Sequence, residues 1–239
     1  MPSGWGLKNY VDALSDPEFG AALWRSVLFT IVTTIIVNVV SFLLAYMFTK
    51  AMRGANLFRS VFFMPNLIGG IVLGYIWQLL LNGVLALWDR SLTTSAVYGF
   101  WGMVILMCWQ QIGYMMVIYV AGFQSLPTDL IEAAQVDGAS NGQIMRRIII
   151  PLMMPSVTVC SFLTVANGFK MFDQNLSLTG GDPGKQSQLL ALNIYDTFYG
   201  RSGPAWKGIG QAKAVVFFVL VVAIALIQLR ATSSKEVQA

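Results

Sequence analysis

Residues 124–151 read QSLPTDLIEAAQVDGASNGQIMRRIIIP, a polar stretch set between two long apolar runs. It holds Asp129, Glu132, Asp137, Arg146 and Arg147, five of the few charges in a chain that is only 11% charged. The pattern predicts two short helices joined by a tight turn. Ser125 suits the cap of the first helix and Pro127 its first turn, where a missing N–H is harmless. Gly138 suits the far end, where a left-handed residue is cheap only for glycine. Ser140 and Gln143 then have the spacing of a capping box for the second helix. Ala133 and Ala134 beside Leu130 and Ile131 form a small-residue surface on which another protein can sit closely.

The flanks decide the class. The 239 residues are 56% hydrophobic, with a mean hydropathy of +0.66. Soluble domains carry about 25% charged residues, more than twice the share found here. Uncharged windows run over 26–49, 60–88, 91–128, 148–169 and 214–229. A helix of about 20 apolar residues crosses the hydrocarbon, so the first four windows suffice. The fifth is shorter, and Lys213 snorkelling to the interface, with Gly208 to Ala212 extending the helix, would complete it. The expectation is an all-α integral membrane protein of about five spans, near 23–48, 62–83, 97–122, 150–171 and 209–230. The apolar runs are continuous rather than alternating, which argues against a barrel.

Within this frame the central stretch acquires a relative. Glu132-Ala133-Ala134, Asp137-Gly138-Ala139, and Ile148 and Pro151 at their offsets, resemble the EAA loop of permease subunits of binding-protein-dependent ABC importers. The resemblance covers about residues 5–232 and implies the type I permease fold. It implies that 124–151 is cytoplasmic and carries a coupling helix that docks on an ATPase subunit. Glu132, Ala133, Ala134, Asp137, Gly138 and Ala139 are then the ATPase-coupling residues. It also implies two copies of the ATPase, a second homologous permease, an external solute-binding protein, and a bacterial cytoplasmic membrane location. ATP would be bound by the separate ATPase, so no cofactor is expected on this chain. Phe172-Asp173, then Leu178-Thr179-Gly180-Gly181-Asp182-Pro183, then Asn193-Ile194-Tyr195 and Phe198, resemble the maltose and multiple-sugar branch, apart from the inserted Asp182. A sugar is the implied cargo, an oligosaccharide above all. An amino-acid, peptide or ion importer is the second reading, and an ATP-independent channel or intramembrane enzyme the third.

Charge placement orients the chain. The loop from Lys50 to Phe62 carries Lys50, Arg53 and Arg59 and no acid, which marks it as cytoplasmic. Alternation puts 124–151 and a tail at 231–239 on the same side. It puts an N-terminal segment 1–22 and the loop 172–208 outside. The permease domain spans 23–230. An external start with no preceding span implies that the first of the family's six core helices is missing from this sequence.

Polar residues inside spans are the candidates for a solute path, because they are costly unless they face protein or water. Trp109, Gln110, Gln111 and Tyr114 in the third span, and Thr164, Asn167 and Gly168 in the fourth, combine stacking aromatics with amide hydrogen bonding suited to sugars. Each also has an ordinary packing role available. Thr33, Thr34, Asn38 and Ser41 on the first span read as helix-helix hydrogen bonding, and Gly70 and Gly74 as a small-residue contact. Lys170 and Asp173, three apart, suit a salt bridge. Cys108 and Cys160 fall within spans and read as apolar fillers, not a disulfide. The chain has no histidine, which speaks against zinc, haem and His-dependent catalysis. Gly184-Lys185-Gln186-Ser187 lacks P-loop spacing. No basic patch suggests nucleic acid, and no nucleotide site, metal cluster or catalytic triad is apparent in the sequence, so an enzyme is not expected.

Overall fold

A computed structural model of the chain describes residues 7–49 and 54–233. These residues are about 83% helical and contain no strand. In chain order the helices are α1 Lys8–Leu14, α2 Pro17–Thr49, α3 Ala55–Phe63, α4 Gly70–Leu85, α5 Ala96–Gln124 and α6 Thr128–Val136. They continue with α7 at Asn141–Leu152, then α8 Met154–Phe169, α9 Asp173–Leu178, α10 Leu190–Tyr195 and α11 Pro204–Ser233. Among the described residues four helices are long and apolar enough to cross a membrane, and the bent pair α7–α8, counted as one span, makes a fifth. The expected five spans are therefore present, with three displaced boundaries and one bend.

The first span starts at Pro17 and runs 33 residues, about 50 Å at 1.5 Å per residue, well beyond the ~30 Å hydrocarbon. The second starts at Gly70, not at 62. Met64–Leu67 is a separate 3-10 turn, and Gly69 is extended (φ −60°, ψ 138°). Pro65 thus belongs to this turn and does not open the span. The last span begins at Pro204.

The fourth span is bent by 65° between α7 and α8. Two prolines account for it. Pro151 and Pro155 each remove an N–H and crowd the carbonyl four residues back. Before Pro151 the backbone widens into a π-turn at Met145–Ile149, with the Ile150 N–H donating to the Met145 carbonyl. Before Pro155 the helix breaks at Met153 (φ −83°, ψ −4°).

The chain divides into two compact units. One comprises Met1–Thr33, Ile68–Cys108 and Val165–Ile224; the other comprises Thr34–Leu67, Trp109–Thr164 and Ala225–Ala239. In the first unit α4 lies against α9. A Cβ at Gly70 would come within 2.8 Å of the Asp173 Cβ, and one at Gly74 would overlap Ser177. Gly70 and Gly74 are contact glycines as expected, though the partner is a short helix rather than another span. In the second unit the Ser41 hydroxyl donates to the Ile112 carbonyl (2.9 Å) and the Tyr119 hydroxyl to Asn38 Oδ1 (2.7 Å). Those first-span polar residues do bond between helices. Cys108 and Cys160 are free and buried.

Candidate functional site

The stretch 124–151 forms the helix-turn-helix its residues specify, all within the second unit. Helix α6 ends in a complete Schellman turn. The Gly138 N–H donates to the Gln135 carbonyl (3.0 Å) and the Ala139 N–H to that of Ala134 (2.9 Å). Gly138 is left-handed, with φ +78°. The capping box then opens α7: the Gln143 N–H donates to Ser140 Oγ (3.4 Å), and the Ser140 N–H to Gln143 Oε1 (2.8 Å). One end differs from expectation. Pro127 is the N-cap of α6 and no side chain caps it. Ser125 instead closes α5, its hydroxyl donating to the Gly122 carbonyl (2.8 Å). The reason is geometric: α5 runs to Gln124, so the serine lies within reach of its last carbonyls.

No residue of α6 is buried. Glu132, Ala133, Asp137 and Gly138 are exposed, and Ala134 and Ala139 half-buried. A hollow of about 280 Å³ lies under the turn, between Asp137, Gly138, Gln143, Ile144 and Arg147. The motif is thus held in shape by its own backbone while its outer surface is free. That is the arrangement a rigid docking helix requires.

The seven solute-path candidates do not form one cluster. Five belong to the second unit, and Asn167 and Gly168 to the first. On α5, Trp109 is 43% exposed while Gln110 and Gln111 are each 7% exposed. Tyr114 is half-buried and its ring faces Phe63, centroids 6.2 Å apart. Thr164 is fully buried, and its hydroxyl donates to the Cys160 carbonyl (2.7 Å). Asn167 is half-buried. Gly168 packs on α2, where an added Cβ would come within 2.8 Å of Thr30 Oγ1. Thr164 and Gly168 therefore have packing roles.

The first unit contains a polar scaffold that the sequence reading missed. Lys213 does not snorkel. Its side chain is 0% exposed and its ammonium spends all three donors, on Asp16 Oδ2 (2.6 Å), Asn193 Oδ1 (3.0 Å) and Thr197 Oγ1 (2.9 Å). Asn193 Nδ2 donates to Gln188 Oε1 (2.9 Å), and Gln188 Nε2 donates to Asp196. Around the LTGGDP turn, Asn175 Nδ2 donates to Thr179 Oγ1 (3.1 Å), and the Ser187 hydroxyl donates to the Asp182 carbonyl (2.6 Å) while lying 2.9 Å from Thr179 Oγ1. Ser187 is thus internal framework, consistent with the rejected P-loop. Glu18 accepts from Lys185 (3.0 Å) and Arg201 (2.6 Å). Burial raises the Asp16 carboxyl, but the Lys213 hydrogen bond, the Glu18 N–H and the Lys213 and Arg201 charges hold it below the usual range. Burial pushes Asp196 up. The Lys170–Asp173 pair does not form among the described residues; both are exposed and lie past the end of α8, with Asp173 already opening α9. One signal for the scaffold was legible: a lysine flanking an apolar window needs a counter-ion, and Asp16 is among the few acids.

The Glu18, Asp16 and Lys213 contacts place the start of α2 and the segment 185–213 at one end of the first unit, consistent with a shared side of the membrane. Of the cations behind the orientation, Lys50, Arg53 and the tail's Lys235 lie outside the described residues.

Fold and loop together define a multi-pass helical membrane protein with an exposed helix-turn-helix between its third and fourth spans. Comparison with known proteins gives the family. A profile described as "Binding-protein-dependent transport system inner membrane component" matches residues 53–234. The chain belongs to this family and is an inner-membrane permease component of such a transport system. It is 42% identical, over 98% of its length and 82% of the relative's, to the probable starch degradation products transport system permease protein AmyD of Thermoanaerobacterium thermosulfurigenes. It is 28% identical to the trehalose/maltose transport system permease protein MalF of Thermococcus litoralis, over 94% of this chain and 78% of that one. Among solved structures, a bacterial ABC transporter that imports alginate matches with a TM-score of 0.83 at 18% identity, covering 98% of this chain and 85% of that chain. The methionine transporter MetNI matches with a TM-score of 0.64 at 14% identity, covering 90% and 95%. The type I permease fold is thereby established.

Proposed function

We propose that this chain is a permease subunit of an ATP-driven importer for a sugar, with an oligosaccharide as the natural cargo. The observation that carries this is the 42% identity, over nearly the whole chain, to a permease named for starch degradation products. The MalF relative, named for trehalose and maltose, and the alginate importer point the same way. Two copies of an ATPase, which alone bind ATP, a second permease and an external binding protein complete the machine.

The described geometry suits the following mechanism. ATP-driven closure of the ATPase pair moves α6, whose Glu132-Ala133-Ala134 segment, with Glu132 and Ala133 exposed, sits in the ATPase groove. The Schellman turn at Gly138 and the capping box at Ser140 keep α6 and α7 at a fixed angle, so displacement is transmitted rather than absorbed. The bent α7–α8 pair carries it into the fourth span. Within the second unit, Trp109 offers a stacking face, and Gln110, Gln111 and Tyr114 offer hydrogen-bonding groups toward hydroxyls. Asn167 is a separate candidate in the first unit.

The test is reconstitution of the chain with its co-purifying subunits in liposomes, followed by uptake of labelled maltodextrins. ATP-dependent, binding-protein-dependent uptake of an oligosaccharide, and none of an amino acid, is the expected result. Co-purification without an ATPase subunit, or solute flux without ATP, would overturn the reading.

A further inference from the structure

The first unit buries a charge that nothing in solute transport explains. Lys213 stands two turns into α11, with no exposed side-chain surface, and Phe19 lies 5.3 Å from its ammonium. Its only ionic partner among the described residues is Asp16, which sits 197 residues earlier, one residue before α2 begins. Asn193 and Thr197, on α10 and the turn that follows it, supply the other two acceptors. Three segments distant in sequence therefore converge on one ammonium.

The two charges are not equivalent. The Asp16 side chain is 13% exposed, and it precedes the first span, where water can reach a carboxylate. The lysine lies inside an apolar helix, where an uncompensated ammonium is strongly unfavourable. Asp16 lies 197 residues ahead of Lys213 in the chain, so it is synthesised before the lysine arrives.

We propose that Asp16 and Lys213 form a topological latch. The pair closes only when the last span stands beside the first with its outer end correctly placed. Until then α11 carries a charge that favours withdrawal from the membrane. Asn193 and Thr197 complete the ammonium's shell, so closure also seats the segment 188–201. Membrane quality control then has a local signal that insertion is complete. This inference is independent of the cargo and of the ATPase partner.

The latch predicts an asymmetric pattern that an ordinary stabilising pair does not. Asp16→Leu strands a buried ammonium; Lys213→Met leaves an acid that hydrates; Asp16→Leu with Lys213→Met strands neither. The experiment expresses the tagged full-length chain with its partner subunits in the native host. It reads membrane abundance by immunoblot and lifetime by pulse-chase. Asp16→Leu is expected to lower abundance severalfold and shorten lifetime. Lys213→Met should lie closer to the parent, and the double variant should recover most of the loss. Labelling of Tyr199→Cys by an impermeant maleimide reports whether the segment 188–201 is seated; Tyr199 is 70% exposed. Its reactivity should change with Asp16→Leu and return in the double variant. Parental abundance for Asp16→Leu, or a double variant as scarce as Asp16→Leu, would overturn the latch.

Discussion

Gly138 is the residue whose substitution isolates the turn proposed to couple this chain to its ATPase. Its φ of +78° is left-handed, and a Cβ placed there would meet nothing within 4 Å. Gly138→Ala thus introduces no clash, and its whole effect is conformational. Holding an alanine in the left-handed region costs about 1–2 kcal/mol. That raises the population of an opened turn by about 5- to 30-fold. What opens is the pair of hydrogen bonds from Gly138 and Ala139 to Gln135 and Ala134, which set the angle between α6 and α7. No span is touched, so the protein should remain in the membrane at parental abundance. Coupled uptake in the reconstituted transporter should fall severalfold, while ATP hydrolysis persists. Gly142→Ala is the control. It too has nothing within 4 Å, but no positive φ, so the same methyl group should leave uptake unchanged. Normal uptake by Gly138→Ala, or equal damage from Gly142→Ala, would refute the reasoning.

Other outcomes follow from particular contacts. Gly113→Ala would drive a methyl group into the Phe62 carbonyl, a backbone atom that cannot swing away, so the chain should be lost from the membrane; Gly83→Ala, with open space around it, should be silent. Gln110→Leu and Gln111→Leu should raise the KM for oligosaccharide uptake about tenfold each if they bond sugar hydroxyls, about 1.4 kcal/mol apiece; an unchanged KM with lower abundance would mark them as packing groups. The Asp16 carboxyl is lowered in the fold, so its contribution to stability is complete above the unfolded carboxylate range and is lost as pH falls through its lowered value. In detergent, the thermal advantage of the parent over Asp16→Asn should therefore be present at pH 7 and vanish in strong acid. Asp196 has the opposite sign: its raised pKa favours the neutral form in the fold, so Asp196→Asn should raise the unfolding midpoint at pH 7, and a lower midpoint would refute this.

The sequence resolved some elements to the residue and others only to the neighbourhood. The Gly138 turn and the Ser140–Gln143 box were legible because both are local. A left-handed glycine and a serine three residues before a glutamine carry their geometry within one turn of chain. The α6 N-terminus was misplaced because two helices compete for Ser125, and α5 runs far enough to claim it. The break at Met64–Gly69 was invisible to a count of apolar residues, since an uncharged window reads alike whether its helix is continuous or interrupted. That polar residues sit within the apolar spans was legible, but not which of them would be consumed by packing. Thr164 bonds a carbonyl one turn back, and Gly168 makes room for Thr30.

What the sequence alone determined is therefore the class, the number of spans, the shape of the helix-turn-helix at 124–151 and the family, because charge spacing, local capping and motif offsets are properties of contiguous residues. Only the tertiary structure decided the fate of Lys213. Its reading turned from a lysine snorkelling to the membrane interface into the centre of a buried shell because its partners, Asp16, Asn193 and Thr197, come from segments separated by up to 197 residues. An ammonium is buried or hydrated according to whether three oxygens can be brought to it, and that depends on how distant helices pack.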